Sequence, residues 1–223
     1  MYFIIIGFFA LVGMVVSGRL KSKFKKYSQV PMTNGLSGAE VAQKMLDHYN
    51  IRDVQIVPGQ GFLTDHYNPQ TKTISLSPEV YQGRSVSAAA VAAHECGHAV
   101  QHAEAYTWLK FRSAMVPVVQ LASKAQSFLF IFLIGGFAAG VGGDFLMQII
   151  IISFGITALF SVVTLPVEFD ASNRALAWLE RSRVATGIQH DGAKDALWWA
   201  AMTYVVSALS AITVFLYFFL SRD

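Results

Sequence analysis

The run His94-Glu95-Cys96-Gly97-His98 has the residue types and spacing of a metal-dependent hydrolase. On a helix, residues four apart share a face. Both imidazoles can then converge on one zinc ion, while Glu95, about 100° round the helix from His94, reaches water on the metal instead of the metal itself. Zinc lowers the pKa of such a water to about 7 and polarises a carbonyl, and a neighbouring carboxylate takes the proton and delivers it to the leaving amine. The competing structural reading is two histidines and a glutamate on a polar helix face. Against it stand the five alanines and one valine of 88–93, beside which a charged Glu95 with no task would be expensive to bury.

A catalytic zinc needs a third protein ligand and an open fourth position. Cys96 projects about 200° from His94 and suits packing as a small hydrophobe. His102 lies a further turn along, but three histidines over two turns span about 12 Å, too far for one tetrahedral ion. Glu168 is the better candidate, within Leu165-Pro166-Val167-Glu168-Phe169-Asp170-Ala171-Ser172-Asn173-Arg174. A carboxylate at that place can also be a plain interface residue. Asp170, Asn173 and Arg174 are placed to orient ligands, to bind polar groups of a substrate, or simply to be solvated. Pro166 reads as a kink that turns the chain toward the site.

The elements that must position these groups are legible between residues 27 and 116. Pro31, Asn34 and Gly35 mark a loop, and Ser37 with Glu40 forms a capping box that opens a helix through about Tyr49. Asp53 to Val57 reads as a strand, Pro58 to Gly61 as a turn, and Thr71 to Leu76 as a second strand. Ser85 or Ser87 caps the helix that carries the two histidines through His102. Its apolar part of about 13 residues is too short and too flanked by charge to cross a bilayer.

The rest of the chain belongs to a membrane. Its 223 residues are 54% hydrophobic, more than a soluble domain carries, with mean hydropathy +0.45. Four windows hold no Asp, Glu, Lys or Arg: Met1 to Gly18, Ala125 to Gly143, Phe145 to Val167, and Ala196 to Ser221. A crossing helix needs roughly 20 mostly apolar residues; the last three windows fit and the first is marginal. The first could be a signal peptide, but its basic residues, Arg19, Lys21, Lys23, Lys25 and Lys26, follow the apolar run instead of preceding it, which favours a retained anchor. The positive-inside rule puts that cluster in the cytoplasm. Four crossings then return 19–124 and 168–195 to the cytoplasmic side, with 125–167 as a transmembrane hairpin and 196–223 as the last span. Gly136 and Gly140 form a small-xxx-small pair that permits close helix approach, and a homo-oligomer stays open. A net charge of +3 is too slight to argue for nucleic acid. Cys96 is the sole cysteine, so the fold needs no oxidising compartment.

Read together, these residues resemble the bacterial membrane-bound neutral zinc metallopeptidases, the YugP-type family. The resemblance rests on Ser37 to Ala42, Leu63 to Tyr67, Leu76 to Tyr81 with Gly83 to Ser85, His94 to His98, and Leu165 to Ser172. It implies a membrane-anchored zinc endopeptidase with one catalytic ion held by His94, His98 and Glu168. A more distant similarity is to the CAAX-processing and heat-shock membrane peptidases. Glu168, Phe169 and Ala171 fit that pattern, but Ser172 stands where those enzymes have aspartate, leaving Asp170 as the substitute. In such enzymes an edge strand beside the metal pairs with extended substrate, which makes His66 or Tyr67, before the Thr71 strand, a candidate to stabilise the oxyanion. The expected fold is a mainly α membrane protein with four transmembrane helices and a small α+β zincin-like metallopeptidase unit facing the cytoplasm of a bacterial cell membrane. Its expected partners are the lipid bilayer and a protein or peptide substrate. A non-proteolytic membrane adaptor with a structural zinc is the alternative, and cleavage inside the bilayer a third reading.

Overall fold

The computed structural model describes residues 1–134 and 143–221, with side chains given outside 129–144. The apolar windows lie inside helices that do not stop where the charges begin. Helix α1 (Tyr2–Ser28) runs from the first window through the basic cluster, and α6 (Gly143–Arg181) runs from the third window past Glu168. Helix α7 (Ile188–Leu220) starts ahead of the fourth window. A helix pairs its own backbone groups in either solvent, so a change from lipid to water need not end it. Pro166 lies within α6, which continues through it.

Helices α1, α6 and α7 are long and apolar enough to cross a membrane. The expected second span, 125–143, has 135–142 outside the described residues, and Gly136 and Gly140 fall there too. Its described part belongs to α5 (Thr107–Ile134), which passes without interruption through the expected border at 124. Helix α5 lies antiparallel along α6: Arg112 Nη2 is 3.9 Å from Glu168 Oε1, and farther along Gln126 Nε2 donates to Thr157 Oγ1 at 2.9 Å. The window therefore opens well along α6 from Glu168, not at the level where α6 turns polar.

Helix α7 is antiparallel to both α1 and α6. At one end the ring of Phe218 stacks on Phe154 at 5.1 Å and meets Tyr2 at 5.4 Å. At the other, Lys23 Nζ and Tyr27 Oη donate to Asp195 Oδ2 at 2.7 and 2.6 Å, and Phe169 lies 6.4 Å from Trp198.

The mixed-composition segment folds at this second end. Helix α2 (Gly38–His48) carries the expected capping box: Glu40 N donates to Ser37 Oγ, and Ser37 N donates to Glu40 Oε2 at 2.7 Å. Strands β1 (Gln55–Pro58), β2 (His66–Asn68) and β3 (Thr73–Leu76) form a sheet in the order β1-β3-β2. Ile56 pairs in parallel with Ile74, and Tyr67 opposes Ile74 in the antiparallel pair. The short α3 (Pro78–Tyr81) then leads to α4 (Val86–Ala103), whose N-cap is Ser85. One core joins Val41, Met45 and Leu46 of α2 to Ile74 of β3, Val100 of α4 and Leu179 of α6.

Inside the histidine motif the two intervening residues do the docking. Cys96 is buried with Sγ 3.5 Å from Ala42 O, which seats α4 on α2. A Cβ at Gly97 would lie 2.5 Å from Ala171 O, so α4 and α6 meet backbone to backbone there.

Candidate metal centre

That close approach sets His94 and His98 of α4 opposite Glu168 of α6. The two imidazoles are 4.8 Å apart between centroids and nearly perpendicular, at 81°. Glu168 Oε2 is 3.4 Å from His94 Nε2 and 3.6 Å from His98 Nε2. Glu168 is 2% exposed, and its Oε2 is buried without a hydrogen-bond partner. A buried, unsatisfied carboxylate oxygen is costly unless something cationic completes it. Donors around a tetrahedral ion with bonds of about 2.0–2.1 Å stand about 3.3 Å from one another, close to the two separations seen. Two imidazole nitrogens and a carboxylate oxygen are a zinc donor set. The residues present thus fit the ion that the sequence implies.

The far nitrogens of both rings are held. His98 Nδ1 is 3.0 Å from Gln101 Oε1, and Gln101 Nε2 donates at 2.8 Å to both Val167 O and Asp170 Oδ2. With its amide nitrogen committed to two acceptors, Gln101 offers His98 only its oxygen. Nδ1 of His98 must therefore carry the proton, and Nε2 presents its lone pair toward Glu168. Arg174 fixes the next link, its Nε donating to Asp170 Oδ2 at 2.5 Å and its Nη1 to Glu104 at 2.6 Å. His94 Nδ1 is 3.1 Å from Ser172 Oγ. Ser172, the residue that departs from the more distant family pattern, thus contacts the first histidine directly, while Asp170 acts on the second through Gln101. Burial opposes charge on His98, but Glu168 beside it outweighs that and lifts its pKa above the ordinary imidazole value. The pocket attracts positive charge.

Glu95 is buried and stands outside the three-donor group. It lines a cavity of about 150 Å³ together with His94, Glu168, Asp65, Phe24 and Tyr204. A larger cavity of about 460 Å³ between α6 and α7 touches Asn173 and Trp198 and contains none of the three donors. His66 and Tyr67 line neither cavity. His66 Nδ1 bonds the carbonyl of Thr64 at 2.8 Å. Tyr67 Oη lies 2.7 Å from His102 Nδ1 in a separate small cavity with Asp53 and Lys72. Burial, aided by the charge of Asp53, pushes the Tyr67 phenol up to about 12, so it stays protonated at neutral pH. The structure thus brings His94, Glu95, His98 and Glu168 together and sets His66, Tyr67 and His102 apart.

The description "Putative neutral zinc metallopeptidase" matches residues 2–222. The chain belongs to this family. It is also 41% identical over 194 residues to "Putative membrane protease YugP" of Bacillus subtilis (strain 168), covering 87% of this chain and 84% of that protein. No solved structure matches it.

Sequence reasoning missed Gln101, Arg112 and Tyr204. Gln101 had a signal, as the one glutamine of an Ala- and Val-rich helix, three residues past His98. Arg112 and Tyr204 had none, since only packing brings α5 and α7 to the site. Gln101→Leu should keep the fold but weaken zinc binding about 10- to 100-fold, as read by competition with a chromophoric chelator. Unchanged affinity would show that the amide does not hold the ring.

Proposed function

We propose that this chain is a zinc metalloendopeptidase of a bacterial cell membrane, with its site on the cytoplasmic side. One observation carries the reading: three donors from two helices converge on a buried carboxylate oxygen that lacks a partner, with an acidic side chain and a cavity beside them. His94, His98 and Glu168 would hold the ion, which when bound would supply an activated water and a polarised carbonyl. Glu95 accepts the proton on its carboxylate and returns it to the departing amine. Gln101 and Ser172 keep the two rings aimed. Strand β2, at the edge of the sheet, offers its free backbone groups to an extended substrate. A structural zinc would call for a closed shell of four protein ligands. Among the described residues the group has three members, and Cys96 and His102 bond elsewhere.

The cytoplasmic placement rests on the basic cluster that continues α1. The test of the activity is metal removal. Purified protein should cleave a casein-type substrate, lose that cleavage with its zinc, and regain it on adding about one zinc per chain. Undiminished cleavage by metal-free protein would refute the proposal.

A further inference from the structure

The metal group sits where the helices change solvent. Arg19 is the first charge after the apolar run of α1, Glu168 the first after that of α6, and Asp195 the last before that of α7. Exposed aromatic side chains mark the same level. Trp198 is 55% exposed and packs on Phe169, next to Glu168. Trp108 and Phe111, each 45% exposed, open α5 beside Arg112, itself 3.9 Å from Glu168. Tryptophan, with an apolar body and a polar tip, concentrates at membrane–water boundaries. Phe62 is 48% exposed and meets Phe24 edge to face at 5.4 Å, which puts a further apolar side chain against a residue of the cavity wall.

The cavity beside the donors runs through this level. Asp65 lines it from the loop before β2, and Leu20 of α1 and Ala200 of α7 also form its walls. Tyr204 lines it too, and lies about 13 Å past Asp195 along α7, within the apolar run. A cleft for soluble peptides has no need of a wall made by two membrane helices. An extended segment deep in hydrocarbon would leave its backbone groups unpaired, whereas at the headgroup level it can pair with water or with β2.

We infer that the substrate is a polypeptide held in the bilayer by its own apolar segment and cut where it leaves the hydrocarbon, in the cavity walled by α1 and α7. This rests on the peptidase reading above. The test uses the full chain, zinc-loaded, in lipid vesicles. One reporter sequence is joined to a polyleucine transmembrane helix through about 5 or about 25 Gly and Ser residues. Both forms share the enzyme's surface and a high effective concentration, so only distance from the bilayer differs. The short spacer should be cut about tenfold faster or more, with both cleavages lost in Glu95→Gln. Equal rates, or faster cutting with the long spacer, would overturn the inference and leave the peptidase standing. Cleavage that persists in Glu95→Gln, or none of either reporter, would instead remove the peptidase reading and this inference with it.

Discussion

With Glu95 replaced by glutamine, the protein should hold zinc at its full stoichiometry while turnover of a casein-type substrate falls about 10²- to 10⁴-fold. Glu95 lies outside the donor group yet lines the same cavity as His94 and Glu168. The amide has the same shape and can still hydrogen-bond to water, but it cannot accept a proton. The effect should therefore appear in kcat while metal content stays put. Metal analysis beside steady-state kinetics separates the two. Activity at the wild-type level in Glu95→Gln would remove the general base from the mechanism.

Glu168→Ala should have the opposite signature, with zinc lost and activity lost because of it. Structural zinc sites bind with about 10–16 kcal/mol shared over four ligands, so one ligand is worth about 3 kcal/mol and its removal about 100-fold in affinity. The substitution also takes the carboxylate away from Arg112, whose Nε is already buried without a partner. Thermal unfolding of the metal-free variant should then fall below that of the metal-free wild type, since a partly buried cation would lose a carboxylate 3.9 Å away. Stoichiometric zinc in Glu168→Ala would displace the proposed third ligand.

The pairing of His94 with His98 was readable in the sequence because it is local. His94 and His98 meet through helix periodicity alone, and the Ser37–Glu40 box stands where its spacing put it. Glu168 was reachable by a different logic, as the first charge after an apolar run expected on the histidines' side of the membrane. The ends of the apolar windows are not the ends of the helices, because hydropathy reports what surrounds a helix and not where its hydrogen bonds stop. Strand β2 escaped notice because three residues are too few to show alternation. Its place is set by pairing with β3 and by the Tyr67–His102 contact. Arg112 and Tyr204 come from helices whose mutual packing no short window encodes.

The close approach of Gly97 to the carbonyl of Ala171 ties the metal group to a helix long and apolar enough to cross a membrane. Glu168 is continuous with the apolar helix that precedes it, so in a membrane a thicker or thinner bilayer, which makes such helices tilt, would swing this carboxylate through an arc. Were α4 anchored only to the sheet, the two histidines would be left behind and the donor triangle would open. Because α4 is pinned to α6 within one turn of the carboxylate, the histidines travel with it. The tilt is taken up instead at the mouth of the cleft, between these two helices and α1, so lipid thickness should alter which substrates enter before it alters the grip on the metal.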